Sequence, residues 1–277
     1  MRYVDALERE VRLTSPPRRV VSLVPSLTEA LFAFGVGDAV VGVTNFCVEP
    51  RDGVSEKMRV GGTKTLDVAR VVALEPDLVV ASAEENRKED IQALVRAGLR
   101  VYVTLPTTVD GALALLDDLA AMTGAGAKAG RIVEESRKAL AQVRAAGEDR
   151  PPVRTFCPIW RNPWMTVGPG TYTHDFVTVC GGVNIFEWRH ERYPRVELRE
   201  VIEKDPQVVL LPDEPYRFGP AHASEMTAAL GNISAVRENR IYLLEGRHLC
   251  WYGPRIAAGL RYVSSLLAGR ELERAKG

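Results

Sequence analysis

The chain has 277 residues, 36 basic against 36 acidic, with 46% hydrophobic and 26% charged side chains. That length suits two cores better than one, and the charge balance leaves no electrostatic footprint for nucleic acid or an anionic membrane, so no nucleic-acid partner is expected. No stretch approaches the roughly 18 to 20 apolar residues needed to span a bilayer, and the four scattered cysteines form no CxxC pair and read as reduced, mostly buried thiols.

The opening segment, Met1 to Glu10, is charged throughout and carries no apolar signal region or lipobox cysteine, from which a cytoplasmic location is expected. Residues 1 to 17 read as a strand or irregular arm ending at Pro16 and Pro17. Arg19 to Val24 is a strand, and Ser26, Leu27, Thr28 and Glu29 have the hydroxyl and carboxylate spacing of a capping box, so a helix opens there and runs to Gly35. Val40 to Val43 is a strand, Asp67 to Leu74 a helix, Leu78 to Ala81 a strand, Glu89 to Ala97 a helix and Val101 to Thr104 a strand. This alternation is the pattern of a parallel sheet. From Val109 to Ala146 apolar residues recur at helical spacing, interrupted only around Gly124 to Gly126, and the second half predicts a helix about 30 Å long. After a polar, proline-rich stretch the pattern restarts. Val153 to Ile159, Val208 to Leu211 and Ile241 to Leu244 read as strands; Thr173 to Cys180, Leu198 to Lys204, Ser224 to Leu230 and Pro254 to Leu267 read as helices.

Two stretches about 130 residues apart read as one unit. Val71 to Val80 and Val201 to Leu210 each end a helix, turn at a proline (Pro76, Pro206) and run into an apolar β-branched strand. The expected architecture is therefore α/β, with two lobes that are each a mainly parallel sheet flanked by helices. One long rigid helix joins them: an N-terminal lobe over 1–125, the connecting helix over 126–148 and a C-terminal lobe over 149–277.

In open parallel sheets ligands sit beyond the carboxyl ends of the strands, and two lobes leave a cleft between them. The loops at those ends give the candidate ligand-binding residues. They are Pro25, Ser26, Phe46, Thr63, Lys64, Glu85 and Arg87 in the first lobe, and Trp160, Arg161, Trp164, Tyr193, Tyr216, Arg217, His248, Trp251 and Tyr252 in the second. Flat rings with interspersed guanidinium groups suit a large planar or anionic ligand. The four histidines do not pair at metal-ligand spacing, so His174 or His248 is read either as a helix-capping residue or as a single axial ligand to a metal already held by a macrocycle. No GxSxG elbow, Walker loop, GxGxxG after a strand or HExxH is present, and Gly168-Pro169-Gly170 has a proline where a phosphate cradle needs an amide. Binding is favoured over catalysis, with no intrinsic cofactor.

Residues 19–29, 40–44, 74–79, 180–186 and 253–256 together resemble the cobalamin and ferric-siderophore receptors of ABC importers, the helical-backbone metal receptors. The resemblance spans about residues 18 to 268. It implies a monomeric substrate-binding protein that holds a small-molecule metal complex, a corrinoid, haem or iron chelate, in the interlobe cleft and delivers it to an ABC permease; it also implies a periplasmic or cell-surface location as the alternative to the cytoplasm. Cobalamin receptors of this type line the cleft with aromatic residues, and the aligned positions here read Phe46, Thr63, Ser82 and Tyr193. The family docks its permease through one acidic residue on each lobe. Those positions read Ala69 and Arg199, with Asp67, Glu197 and Glu200 beside them. The alternative is a cytoplasmic enzyme or chaperone acting on such a cofactor, with Cys47, near Lys64, as a reactive thiolate.

Overall fold

The computed structural model describes residues 1–270. The chain forms two compact units: the first holds Met1–Pro106, Asp110–Glu135 and Tyr252–Pro254, the second Thr107–Val109, Ser136–Trp251 and the chain from Arg255 onward.

In the first unit the chain runs β1 (Arg2–Val4), β2 (Glu10–Arg12), β3 (Val20–Ser22), α1 (Pro25–Ala33), β4 (Val40–Val43), α2 (Arg51–Ser55), β5 (Met58–Arg59), α3 (Val68–Ala73), β6 (Leu78–Ser82), α4 (Lys88–Arg96), β7 (Val101–Thr104) and α5 (Val109–Thr123). Strands 3 to 7 form a five-stranded parallel sheet in the order β5-β4-β3-β6-β7. Val21, Leu23, Val60, Val71, Val79, Leu94, Val101 and Val103 make its core, which explains why β6 and β7 read as unbroken apolar runs. The arm expected at the N-terminus is a β1–β2 hairpin that covers the outer edge of β7. The buried Asp5 carboxylate accepts from the amides of Leu7, Arg9 and Val103 at 2.9, 3.0 and 3.3 Å, while Ala6 N–H donates to Val103 O at 2.9 Å. An open sheet edge is thereby closed.

Helix α6 (Gly126–Gly147), of 22 residues, carries the chain from one unit to the other, and the division falls within it. The sequence signal for the preceding break was sound, since Gly124 and Gly126 both take positive φ, 68° and 57°.

The second unit continues with β8 (Val153–Phe156), β9 (Pro158–Trp160), β10 (Met165–Thr166), α7 (Tyr172–Val179), β11 (Gly182–Asn184), α8 (Leu198–Lys204), β12 (Val208–Pro212), α9 (Pro220–Leu230), α10 (Ser234–Arg237), β13 (Ile241–Leu244), α11 (Arg247–Cys250) and α12 (Ile256–Leu267). Its parallel sheet has the order β11-β8-β12-β13. Phe156, Phe186, Val201, Val209, Leu211, Phe218 and Met226 are among the residues of its core.

The internal repeat extends to backbone conformation. Glu75 after α3 and Asp205 after α8, about 130 residues apart, are both left-handed, with φ of 44° and 43°. Two readings change. The stretch read as one strand over 153–159 is two: β8 stays in the parallel sheet, then Pro158, which has no amide for that ladder, opens β9, which pairs antiparallel with β10. The capping box at Ser26 does not form. Pro25 occupies the first helical position, Val24 is the cap, and the buried Ser26 hydroxyl has no partner among the described residues.

Candidate functional site

In the first unit the carboxyl ends of the sheet strands carry a buried layer of hydroxyls and one organising amide. Ser22, Thr44, Ser82 and Thr104 end or directly follow β3, β4, β6 and β7, and all four are buried. Asn86, 3% exposed, receives Ser82 N–H on its Oδ1 at 2.8 Å and donates through Nδ2 to Leu23 O at 3.2 Å and Thr63 O at 3.4 Å. One side chain thus joins the loops after β3, β5 and β6. The Ser82 hydroxyl accepts from the amides of Glu84 and Glu85 at 3.1 and 3.3 Å, and Lys64 Nζ donates to Glu84 O at 2.9 Å. Tyr252 returns to this unit from late in the chain. Its hydroxyl donates to Glu85 Oε1 at 3.4 Å, and burial together with the Glu85 charge raises its pKa well above the phenolic value. Phe46, 60% exposed, lies over Gly62, where a Cβ would stand 3.3 Å from the ring.

Of the residues expected here, Lys64, Glu85 and Tyr252 are joined through this network and Thr63 borders it. Pro25 and Ser26 are buried at the start of α1. Arg87 stands apart, at 3.5 Å from Glu89 on an exposed surface. Asn86 and Ser82 organise the site although neither is among the expected ligand-binding residues, Ser82 entering the sequence reading only as an aligned cleft position; a short polar side chain at a strand end is the local signal for either.

In the second unit the loops after β9 and β12 build an aromatic ledge. Trp160, 43% exposed, meets Tyr216 edge-on at 5.7 Å; Tyr216 packs on Phe218 at 4.8 Å, and Phe218 stacks on Trp164 at 6.1 Å. His222 braces the ledge. Its Nδ1 accepts from Gly219 N–H at 3.1 Å, which leaves the proton on Nε2, 3.1 Å from the Tyr216 oxygen. Arg161 is committed to Glu225 at 2.6 Å, while Arg217 is exposed and has no side-chain partner among the described residues. Tyr193 lies beneath the Arg192 guanidinium at 5.7 Å. Trp251, only 8% exposed, is packed between Arg247 and Arg255 at 5.4 and 5.8 Å.

His248 packs on Tyr262 at 5.5 Å, and His174 Nδ1 lies 3.1 Å from Asn184 Nδ2. Burial lowers the pKa of both imidazoles. No group of three or more His, Cys, Asp or Glu side chains that could hold a metal ion occurs among the described residues. Cys47 is not the reactive thiolate of the alternative reading. It is 0% exposed, held 3.1 Å from both Thr28 and Thr44 hydroxyls, and burial raises its pKa.

Residues 20–247 match the model of the periplasmic binding protein family. The chain belongs to that family. Among its relatives, the vitamin B12-binding protein of Vibrio cholerae is 27% identical over 255 residues, 91% of this chain and 90% of the relative. The crystal structure of the periplasmic vitamin B12 binding protein BtuF of Vibrio cholerae superposes with a TM-score of 0.78 at 25% identity, over 91% of this chain and 97% of that one. A periplasmic haem-binding protein of Pseudomonas aeruginosa superposes with a TM-score of 0.79 at 23% identity, over 93% and 95%. Members of this family are solute-binding proteins, and the parallel strand order of each unit is consistent with ligand contacts at the strand ends.

Proposed function

We propose that this chain is the substrate-binding protein of an ABC-type importer and carries a metal-containing cofactor or chelate without transforming it, a corrinoid before a haem or a ferric siderophore. The observation that carries this reading is the ledge of Trp160 and Tyr216, with Trp160 43% exposed in a strand-end loop. Two rings held in place by their neighbours offer a macrocycle a flat apolar face with little ordering left to do on binding. Arg217, on the same loop as Tyr216, supplies a guanidinium for a phosphate or carboxylate of the ligand. A corrinoid comes first because a relative named for vitamin B12 matches at 27% identity over 91% of the chain. The haem-binding neighbour, at 23%, supports the fold alone.

Docking to the permease is assigned to the N-terminal ends of α3 and α8, which are equivalent in the repeat. Asp67 caps α3 beside Arg70, and Glu197 caps α8 beside Arg199. Such a role requires export, so fractionation of the native host that found the chain only in the cytoplasm would overturn it.

Titration with cyanocobalamin, followed by quenching of tryptophan emission, tests the ligand. One-to-one saturable binding is expected, weakened about tenfold by Trp160→Ala, the scale of one aromatic contact of about 1.4 kcal/mol. No binding of cyanocobalamin, haemin or a ferric chelate would sink the reading.

A further inference from the structure

The strand-end loops of the second unit are tied together by a carboxyl group that neither family membership nor the ledge accounts for. We propose that Glu214 is a positioning residue, a latch that holds the β12–α9 loop, which carries Tyr216, onto α11 and so fixes Trp251. This rests on the binding role proposed above for its consequence on affinity, but the latch itself can be read without any ligand.

The geometry is specific. Asp213 N–H donates to Leu244 O at 3.1 Å and its Oδ1 accepts from Gly246 N–H at 2.7 Å, which brings the loops after β12 and β13 side by side. Glu214 then reaches across. The Cys250 thiol donates to its Oε1 at 3.5 Å, and the Trp251 indole also hydrogen-bonds to the carboxyl. Gly246 makes room for this crossing: a Cβ there would stand 2.4 Å from Glu214 Cγ and 3.1 Å from its carbonyl oxygen. Its φ of −56° is open to any residue, so the glycine answers a need for space rather than for conformation.

Two donors from one four-residue helix and the residue after it converge on one carboxyl, and the indole so held is packed between Arg247 and Arg255. The charged and titratable groups facing Glu214 are Asp213 on its own loop, and Arg247 and Cys250 on α11. Burial and Asp213 raise its pKa, against the pull of Cys250, Arg247 and the indole. Protonation removes one acceptor oxygen from a site with two donors. The latch therefore loosens in mild acid rather than only in strong acid.

Three readouts test this on the full chain. Cys250 should react with Ellman's reagent at least fivefold faster in Glu214→Ala than in the wild type, because its acceptor is gone. Trp251 emission, isolated as the difference between the wild type and Trp251→Phe, should shift in mild acid in the wild type and not in Glu214→Gln. Cyanocobalamin affinity should fall at least fivefold in Glu214→Ala and by a smaller factor in Glu214→Gln, which keeps the shape and one of the two acceptors, as the protonated carboxyl does. Unchanged Cys250 labelling in a folded Glu214→Ala, or an acid shift of Trp251 that persists in Glu214→Gln, overturns the latch. If the alanine variant does not fold, the glutamine variant's emission profile decides alone. Wild-type protein that shows the emission shift but binds no probe would retain the latch and refute the binding role instead.

Discussion

At the scale of single residues, polar burial decides what the candidate groups can do. Cys47, Cys157 and Cys180 are buried and burial raises the pKa of each thiol, to about 12 for Cys157. Only Cys250 is partly exposed. In native protein Ellman's reagent should therefore label one thiol rapidly, and all four cysteines only after unfolding; prompt labelling of Cys47 would return the thiol chemistry set aside above. His174 and His248 give a pH dependence of defined sign. Burial lowers both pKa values from 6.5, so the unfolded chain binds protons that the folded one refuses. Their contribution to stability is present above pH 6.5 and is lost as the pH falls through the folded values. Melting temperature should drop from pH 7.5 to 5.5, less steeply in His174→Gln; an equal slope in that variant would clear His174 of any part. Glu214, whose pKa is raised, acts with the opposite sign on global stability: relief of its buried charge outweighs the hydrogen bonds the latch loses on protonation, so its contribution is complete below the unfolded carboxyl value and declines as the pH rises through the folded one.

Among the elements, the repeat of helix, proline and strand was legible because its signals are local: Pro76 and Pro206 stop helices, and the β-branched runs behind them make buried strands. What was not legible depends on distant partners. The β1–β2 hairpin exists because Asp5 satisfies the edge of β7 about 98 residues away, and β9 leaves the line of β8 because β10 pairs with it. The repeat also gives a paired prediction. Glu75 and Asp205 share a left-handed backbone, but Glu75 is exposed without a side-chain partner among the described residues, whereas Asp205 binds Ser234 N–H at 2.6 Å and Arg154 at 3.1 Å. Glu75→Gly should stabilise by up to about 1 kcal/mol. Asp205→Gly should destabilise, since the lost bonds outweigh relief of the backbone. Urea unfolding of the two variants checks both signs. Asn86→Ala, which strips three loop contacts, should cost about 1–3 kcal/mol in the same assay.

For the molecule as a whole, two α/β units with parallel sheets were legible from alternation and length, and the family from motifs spread along the chain. The site was legible in part. Strand-end loops supplied Trp160, Trp164 and Tyr216, which the structure brings into one ledge, because aromatic residues in a polar loop stand out. Tyr252, beside Trp251 in sequence, belongs with Glu85 in the other unit, and Glu214 and Asn86 work through contacts that no local pattern announces. The most direct test of the proposed role is a thermal shift of the purified chain with cyanocobalamin, haemin and ferric chelates in parallel. A ligand at 100 times its Kd should add about 2.7 kcal/mol and raise the Tm by several degrees, with cyanocobalamin giving the largest shift. An unchanged Tm with every probe would contradict the assignment of this chain as a receptor for metal-containing cofactors.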